Sequence, residues 1–377
     1  MGILAKSCSI TQMVVVNSES INTDLIGELL AKKAFMPIDS TSDPLSIGWV
    51  SLDDSSDTDF TSGVIRDRWA TFSMRVDRRR IPGAVLRQHI KAAEETWLQD
   101  HPGINRVPKQ VRAELREAVL GNLLAKTLPV PSVCDAVWDL PNGIITLSTH
   151  SQPTIELFQT LFKATFEGAR LVLYHPYARA MELATPEQAQ KLGELNRAGS
   201  DHVFDLMREN AWLGSDFLLW LTHSTANGLC CSSAKEISTT CYVSDKIILI
   251  GSSDGAKQKI TAAGPLNHFA EVRAALQEGK IITKAAIQIE SGEDVYSMVL
   301  DGETFKFGSL WTPPVRLEKD DLTDESSERQ AVFFEKVHLM ETAMDAFNGI
   351  FATFLNYRLS NVWFATASEI HKWINGE

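Results

Sequence analysis
The stretch from Ile81 to Leu128 constrains this chain most, because prolines bracket two helical repeats in it. Pro82 sits where a first-turn proline belongs, and Leu86, Ile90, Ala93 and Trp97 follow at helical spacing until His101-Pro102-Gly103 breaks the run. Pro108 opens a second helix with the stripe Val111, Leu115, Ala118, Val119 and Leu123, and Pro129 and Pro131 forbid its continuation past Leu128. The spacing predicts a helical hairpin, an arm that a compact domain has no need to build. On a helical wheel Lys109, Arg112, Arg116 and Lys126 border the apolar stripe while Glu114 and Glu117 point away. An apolar seam and positive charge on one side suit contact with a partner and a polyanion together. The same pattern fits an ordinary hairpin packed on its own core, with its cations snorkelling at the edge.

At 377 residues the chain has room for two or three domains and an ample core. No apolar run approaches the ~18 residues of a membrane span, and the N-terminus lacks a basic segment followed by an apolar core. Lys6 stands where an acylation pattern after Met1-Gly2 wants Ser or Thr, so a cytoplasmic protein without a membrane partner is expected. Cys8, Cys134, Cys230, Cys231 and Cys241 form no CxxC pair and are odd in number, which points to reduced thiols. A net charge of −12 argues against a histone-like binder, yet charge is segregated along the chain. Basic residues exceed acidic ones between Ser62 and Arg116, and the reverse holds between Leu317 and Asp345.

Short strands are predicted at Met13–Val16 and Gly48–Leu52, with a helix over Ile21–Lys33 between them. Val64–Val76 alternates as a strand with one buried face and ends in Asp77-Arg78-Arg79-Arg80. After the arm come strands Val133–Leu140 and Ile144–Ser148 joined by Pro141-Asn142-Gly143, helix Thr154–Phe166 and strand Arg170–Tyr174. Ala178–Glu209 reads as helical, Leu213–Leu221 and Cys241–Ile250 as buried segments, and Ser252-Ser253-Asp254-Gly255 as a turn. A helix at Phe269–Gln277, a strand at Lys280–Ile289 and a hairpin around Asp301-Gly302 follow. In the last helix Phe333, Val337, Met340, Met344, Phe347, Phe351 and Phe354 form a lengthwise seam, buried in its own domain or at a subunit interface. The expected fold is α+β, with mixed sheets, helices and an inserted helical-hairpin arm. Its expected parts are a central domain (1–80 and 129–176), the arm (81–128) and a base domain (177–377).

Catalytic motifs are missing: there is no Walker lysine, GxGxxG, HExxH or GxSxG. His150, His175, His202 and His223 show no ligand spacing. Asp135 and Asp139, flanking a strand, are the best of a poor set for a metal. No metal or cofactor is expected.

Three ordered stretches resemble the RdgC family of bacterial recombination-associated DNA-binding proteins. They are Phe35-Met36-Pro37 with Gly48-Trp49-Val50, the run Leu123-Leu124-Ala125-Lys126 leading into Trp138-Asp139 and Asn142-Gly143, and Gly279-Lys280-Ile281-Ile282-Thr283-Lys284. The likeness extends weakly from about Val14 to Tyr357. It implies a ring-shaped homodimer with a basic inner surface, which encircles double-stranded DNA without sequence preference, restrains RecA-driven strand exchange and resides on the nucleoid. It places Lys257 and Gln258 near the ring's inner edge, with Lys259 beside them. Lys280 and Lys284, four apart on one strand, would line the same wall. Arg112, Arg116 and Lys126 of the arm are the other DNA path. Two contacts are expected to close the dimer, Leu124 and Leu128 at the arm's contact tip and Phe347 and Phe351 in the C-terminal unit.

Several features depart from the family. Leu128 stands where an aromatic is usual, the segment from Thr261 to Gly279 is longer, the tail from Ser360 to Glu377 extends past the usual end, and the arm has fewer lysines. The family has also been labelled an exonuclease, so a metal-dependent nuclease is the alternative. A protein-binding scaffold using the arm and the Phe-rich helix is the third reading.

Overall fold
A computed structural model describes residues 2–200, 202–228, 231–232, 239–253, 256–264, 269–316 and 325–376. The fold is α+β, and its main strand pairings are antiparallel. The chain divides into two compact units, one of residues 17–143 and 156–170, the other of residues 1–16, 144–155 and 171–377. The first strand and the Ile144–Leu147 strand therefore join the C-terminal body, and the arm belongs with the smaller unit. These limits differ from breaks at 80, 128 and 176.

In the smaller unit Trp69–Arg78 is the middle strand, paired with Leu45–Val50 on one side and Val130–Asp139 on the other. The strand expected over Val64–Val76 is broken after Ile65–Arg66 by a turn in which Asp67 takes a left-handed backbone (φ 55°). Period-two alternation sends Phe72, Met74 and Val76 to one face, where the Gln152–Thr165 helix brings Phe158 and Phe162. Trp49 lies edge-on to Phe72 at 5.0 Å and to Phe158 at 5.1 Å, and its indole N–H donates to Thr165 Oγ1 at 2.8 Å. Such aromatic pairs add ~0.5–1.5 kcal/mol each beyond burial, and the satisfied indole avoids a desolvation penalty. Gly48 is obligatory here, because a Cβ would collide with the backbone of Phe35. Phe35 donates its amide N–H to Trp49 O at 2.9 Å, so Phe35-Met36-Pro37 and Gly48-Trp49-Val50 meet in space.

The helix expected over Ile21–Lys33 is interrupted. Asn22 accepts from the Asp24 amide and starts a 3-10 turn over Thr23–Leu25, which leaves an α-helix only over Ile26–Ala31.

In the larger unit one sheet runs in the order Ala256–Ala263, Thr239–Ser253, Ile281–Ser291, Asp294–Asp301, Phe307–Trp311, Ser7–Val16, Ile144–Leu147. The first strand is longer than expected, starting at Ser7 and not Met13. Helices Trp212–Ala226 and Glu325–Arg358 pack across its central strands. Between them lies the core of Phe217, Phe305, Phe347, Phe351 and Phe354, ring against ring. The seam expected on the last helix is thus buried within its own unit.

Candidate nucleic-acid interface
The arm forms as its prolines dictate. Pro82 and Pro108 stand at the N-caps of helices Gly83–Asp100 and Lys109–Lys126, and their carbonyls accept from Leu86 and Arg112. Neither helix contains a fully buried residue, since each packs chiefly on the other along a seam that stays half open. Val107, in the connecting turn, is buried.

The cations along this arm fall into two states. Arg116 and Lys126 are exposed and form no ion pair among the described residues, as is also true of Arg87, Arg106 and Lys109. Arg112 is half-exposed, and its Nε lies 2.7 Å from Glu94 Oε1 on the facing helix. The basic run closing the middle strand splits by alternation. Arg79 points inward and donates to the Ile38 and Thr41 carbonyls, while Arg78 and Arg80 face solvent beside the arm. Arg78, Arg80, Arg87 and Arg106 were missed as contact candidates, although the Arg78-Arg79-Arg80 run and the strand period were visible in the sequence.

Lysines of the larger unit behave differently. Lys280 lies just before strand Ile281–Ser291, is buried, folds over Gly251 and pairs with Glu278. A bulge between Ile282 and Lys284 breaks the alternation that would have put Lys280 and Lys284 on one face. Lys284 is 43% exposed but its Nζ sits 2.5 Å from Asp301 Oδ2. The expected wall of two free strand lysines is therefore not formed. Gln258 and Lys259 are exposed on strand Ala256–Ala263, opposite Gly251 and Ile250, whereas the side chain of Lys257 and the turn residues Asp254 and Gly255 lie outside the described residues.

The two expected dimer contacts also separate. Leu124 is half-buried and Leu128 is 79% exposed, but Leu128 sits at the arm's root, two residues before strand Val130–Asp139. The tip is the turn from His101 to Val107. Around that root, Val130 and Leu45 are exposed too, on strands flanking Arg78. Phe347 and Phe351 are fully buried, within 5.9 and 5.3 Å of Phe217, and so are core residues with no surface to offer a second subunit.

Of the metal candidates, Asp135 is buried and accepts from Ser73 Oγ at 2.8 Å. Asp139 accepts from Asn142 and stands 3.4 Å from Arg68. No group of three metal-ligating side chains comes together among the described residues. No helix among them is long and apolar enough to cross a membrane.

Residues 12–185 match the family model described as "Putative exonuclease, RdgC". Over this stretch, a little under half of its length, the chain is similar to the RdgC family. No curated protein matches the chain. The RdgC match takes in the whole arm, the Phe35/Gly48-Trp49 crossing and Trp138-Asp139, and it ends before the lysines at 257 to 284.

Proposed function
We propose that the chain is a DNA-binding protein that holds double-stranded DNA through the phosphate backbone without reading sequence, assembles as a homodimer around it and restrains RecA-mediated recombination on the nucleoid. One observation carries the binding reading: the RdgC-matched arm presents Arg116 and Lys126 exposed and, among the described residues, without an ion pair, with Arg112 half-exposed between its helices. Flexible cations on a helix surface neutralise phosphates whatever the base sequence, and the field that attracts DNA is local, so a net charge of −12 does not oppose it. Gln258 and Lys259 remain as secondary contacts. Leu124 and Leu128 are the proposed arm contact of the homodimer, and the second contact must use residues other than Phe347 and Phe351. The encirclement, the homodimer and the RecA link rest on the family resemblance.

The family description names an exonuclease, and that is the second reading. A gel shift and a degradation assay on linear duplex, with and without magnesium, separate the two. Salt-sensitive retention of intact duplex supports the binding protein. Magnesium-dependent loss of substrate, abolished at Asp135 or Asp139, supports the nuclease.

A further inference from the structure
Arg112 is the middle cation of a row on the Lys109–Lys126 helix, with Lys109 three residues before it and Arg116 four residues after. Among the described residues its two neighbours are exposed and form no ion pair, while Arg112 faces a carboxylate, that of Glu94. The contact is close but poorly aligned: the 2.7 Å approach leaves the Nε–H without a hydrogen-bond acceptor in line. Arg75 shows what a well-built pair looks like in the same unit, with two nitrogens on the two Asp77 oxygens, both at 2.8 Å. Glu94 is the more buried partner and Arg112 the more exposed, so the guanidinium can be reached from solvent without moving the acid.

We propose that Glu94 is an internal stand-in for phosphate, which holds Arg112 in the free protein and yields it to the phosphodiester backbone when duplex binds. The proposal rests on the DNA-binding reading above and adds to it a residue that sets affinity. A half-exposed pair of this kind is weak, and a phosphate flanked by Lys109 and Arg116 offers the guanidinium a better-aligned, doubly supported anion. Arg112 then reaches DNA whether or not Glu94 is there, so removing the acid strengthens binding without adding a phosphate contact.

The test measures binding of the full chain to a random-sequence duplex across a salt series. Glu94→Gln binds about two- to fivefold tighter, the range expected from one exposed ion pair. The dependence of log affinity on log salt is unchanged, because the number of phosphates neutralised stays the same. The gain vanishes in an Arg112→Ala background. Glu114→Gln, which removes the same charge from the arm without touching Arg112, gains less. Circular dichroism verifies that the arm stays helical, and Glu94→Asp, which withdraws the carboxylate but keeps its charge, moves affinity in the same direction as Glu94→Gln. No gain, an equal gain in Glu114→Gln, or a gain that survives without Arg112 overturns the proposal. A slope steeper by about 0.9 also overturns it, since Glu94 would then be keeping Arg112 off the DNA permanently. Wild-type protein that fails to retain duplex at low salt defeats the DNA-binding reading itself, an outcome distinct from all of these.

Discussion

The guanidinium of Arg179 donates to Gln12 Oε1 at 2.6 Å, from a position almost wholly closed to solvent. A second nitrogen donates to Asn348 Oδ1 at 2.5 Å, and the planar group lies 4.1 Å from the Tyr174 ring, so one cation ties the first strand, helix Pro176–Leu183 and the long helix together. Burial lowers its pKa to about 10, with Tyr174 and Glu182 acting the other way. Removing such a group leaves buried polar partners unsatisfied and a hole. Arg179→Ala is expected to cost about 3–5 kcal/mol in chemical denaturation. Arg179→Met, which fills the volume without the charge, is expected to cost less, and equal losses would assign the effect to the hydrogen bonds alone.

Gly48 and Phe35 give a sharper backbone test. Gly48→Ala puts a methyl group into the Phe35 main chain, and the strand edge must shift to admit it. The expected loss is about 2–3 kcal/mol, at the upper end of overpacking costs, because backbone yields less readily than a side chain. A thermal midpoint unchanged within a degree would show that this edge is soft.

Acid should weaken the fold through His175. Burial alone depresses its pKa to about 4, and the side chain is closed to solvent, with no hydrogen-bond partner for Nδ1 among the described residues. A folded-state pKa below the unfolded value of about 6.5 means that the unfolded chain binds more protons in this window. The contribution is therefore complete above pH ~6.5 and is lost as pH falls towards 4, by about 2–3 kcal/mol. His223, also lowered by burial, acts in the same direction. Denaturant midpoints from pH 7.5 to 4.5 should fall, and His175→Leu should flatten the curve.

Arm cations should govern DNA binding more than strand lysines do. Alanine at Arg112, Arg116 and Lys126 together is expected to reduce the salt slope by about 3 and weaken all duplexes alike. Lys280→Ala should leave the slope unchanged while lowering stability, since Lys280 is buried and paired with Glu278. The reverse ranking would return the DNA path to the larger unit.

Leu128 and Phe347 should fail in different ways. Leu128→Asp is expected to leave the fold intact and open the dimer at its arm contact, raising the concentration at which light scattering gives a dimer mass, since a charge enters an exposed apolar contact. Phe347→Ala removes a ring packed against Phe217, Phe305 and Phe307 and is expected to cost about 3–5 kcal/mol with no selective effect on assembly. Wild-type protein that scatters as a monomer at micromolar concentration defeats the arm contact.

The amino-acid order alone determined the arm, because proline acts locally: Pro82, Pro108 and Pro129 permit helix on one side and forbid it on the other whatever surrounds them. Local too were the strand at Cys241–Ile250, the Asn142-Gly143 turn and the long Glu325–Arg358 helix, each legible from period and turn chemistry. What no local pattern carries is which charge finds a partner. Lys280 and Lys126 look alike along the chain, yet one is buried against Glu278 and the other is exposed with no ion pair among the described residues, a difference made by a bulge and by a glycine some thirty residues away at position 251. The seam of Phe347 and Phe351 likewise announced burial without saying against what, since an apolar stripe is satisfied equally by its own sheet or by a second subunit. Tertiary packing decided for the core through Phe217 and Phe305, residues distant in sequence that only the folded chain brings to the same place.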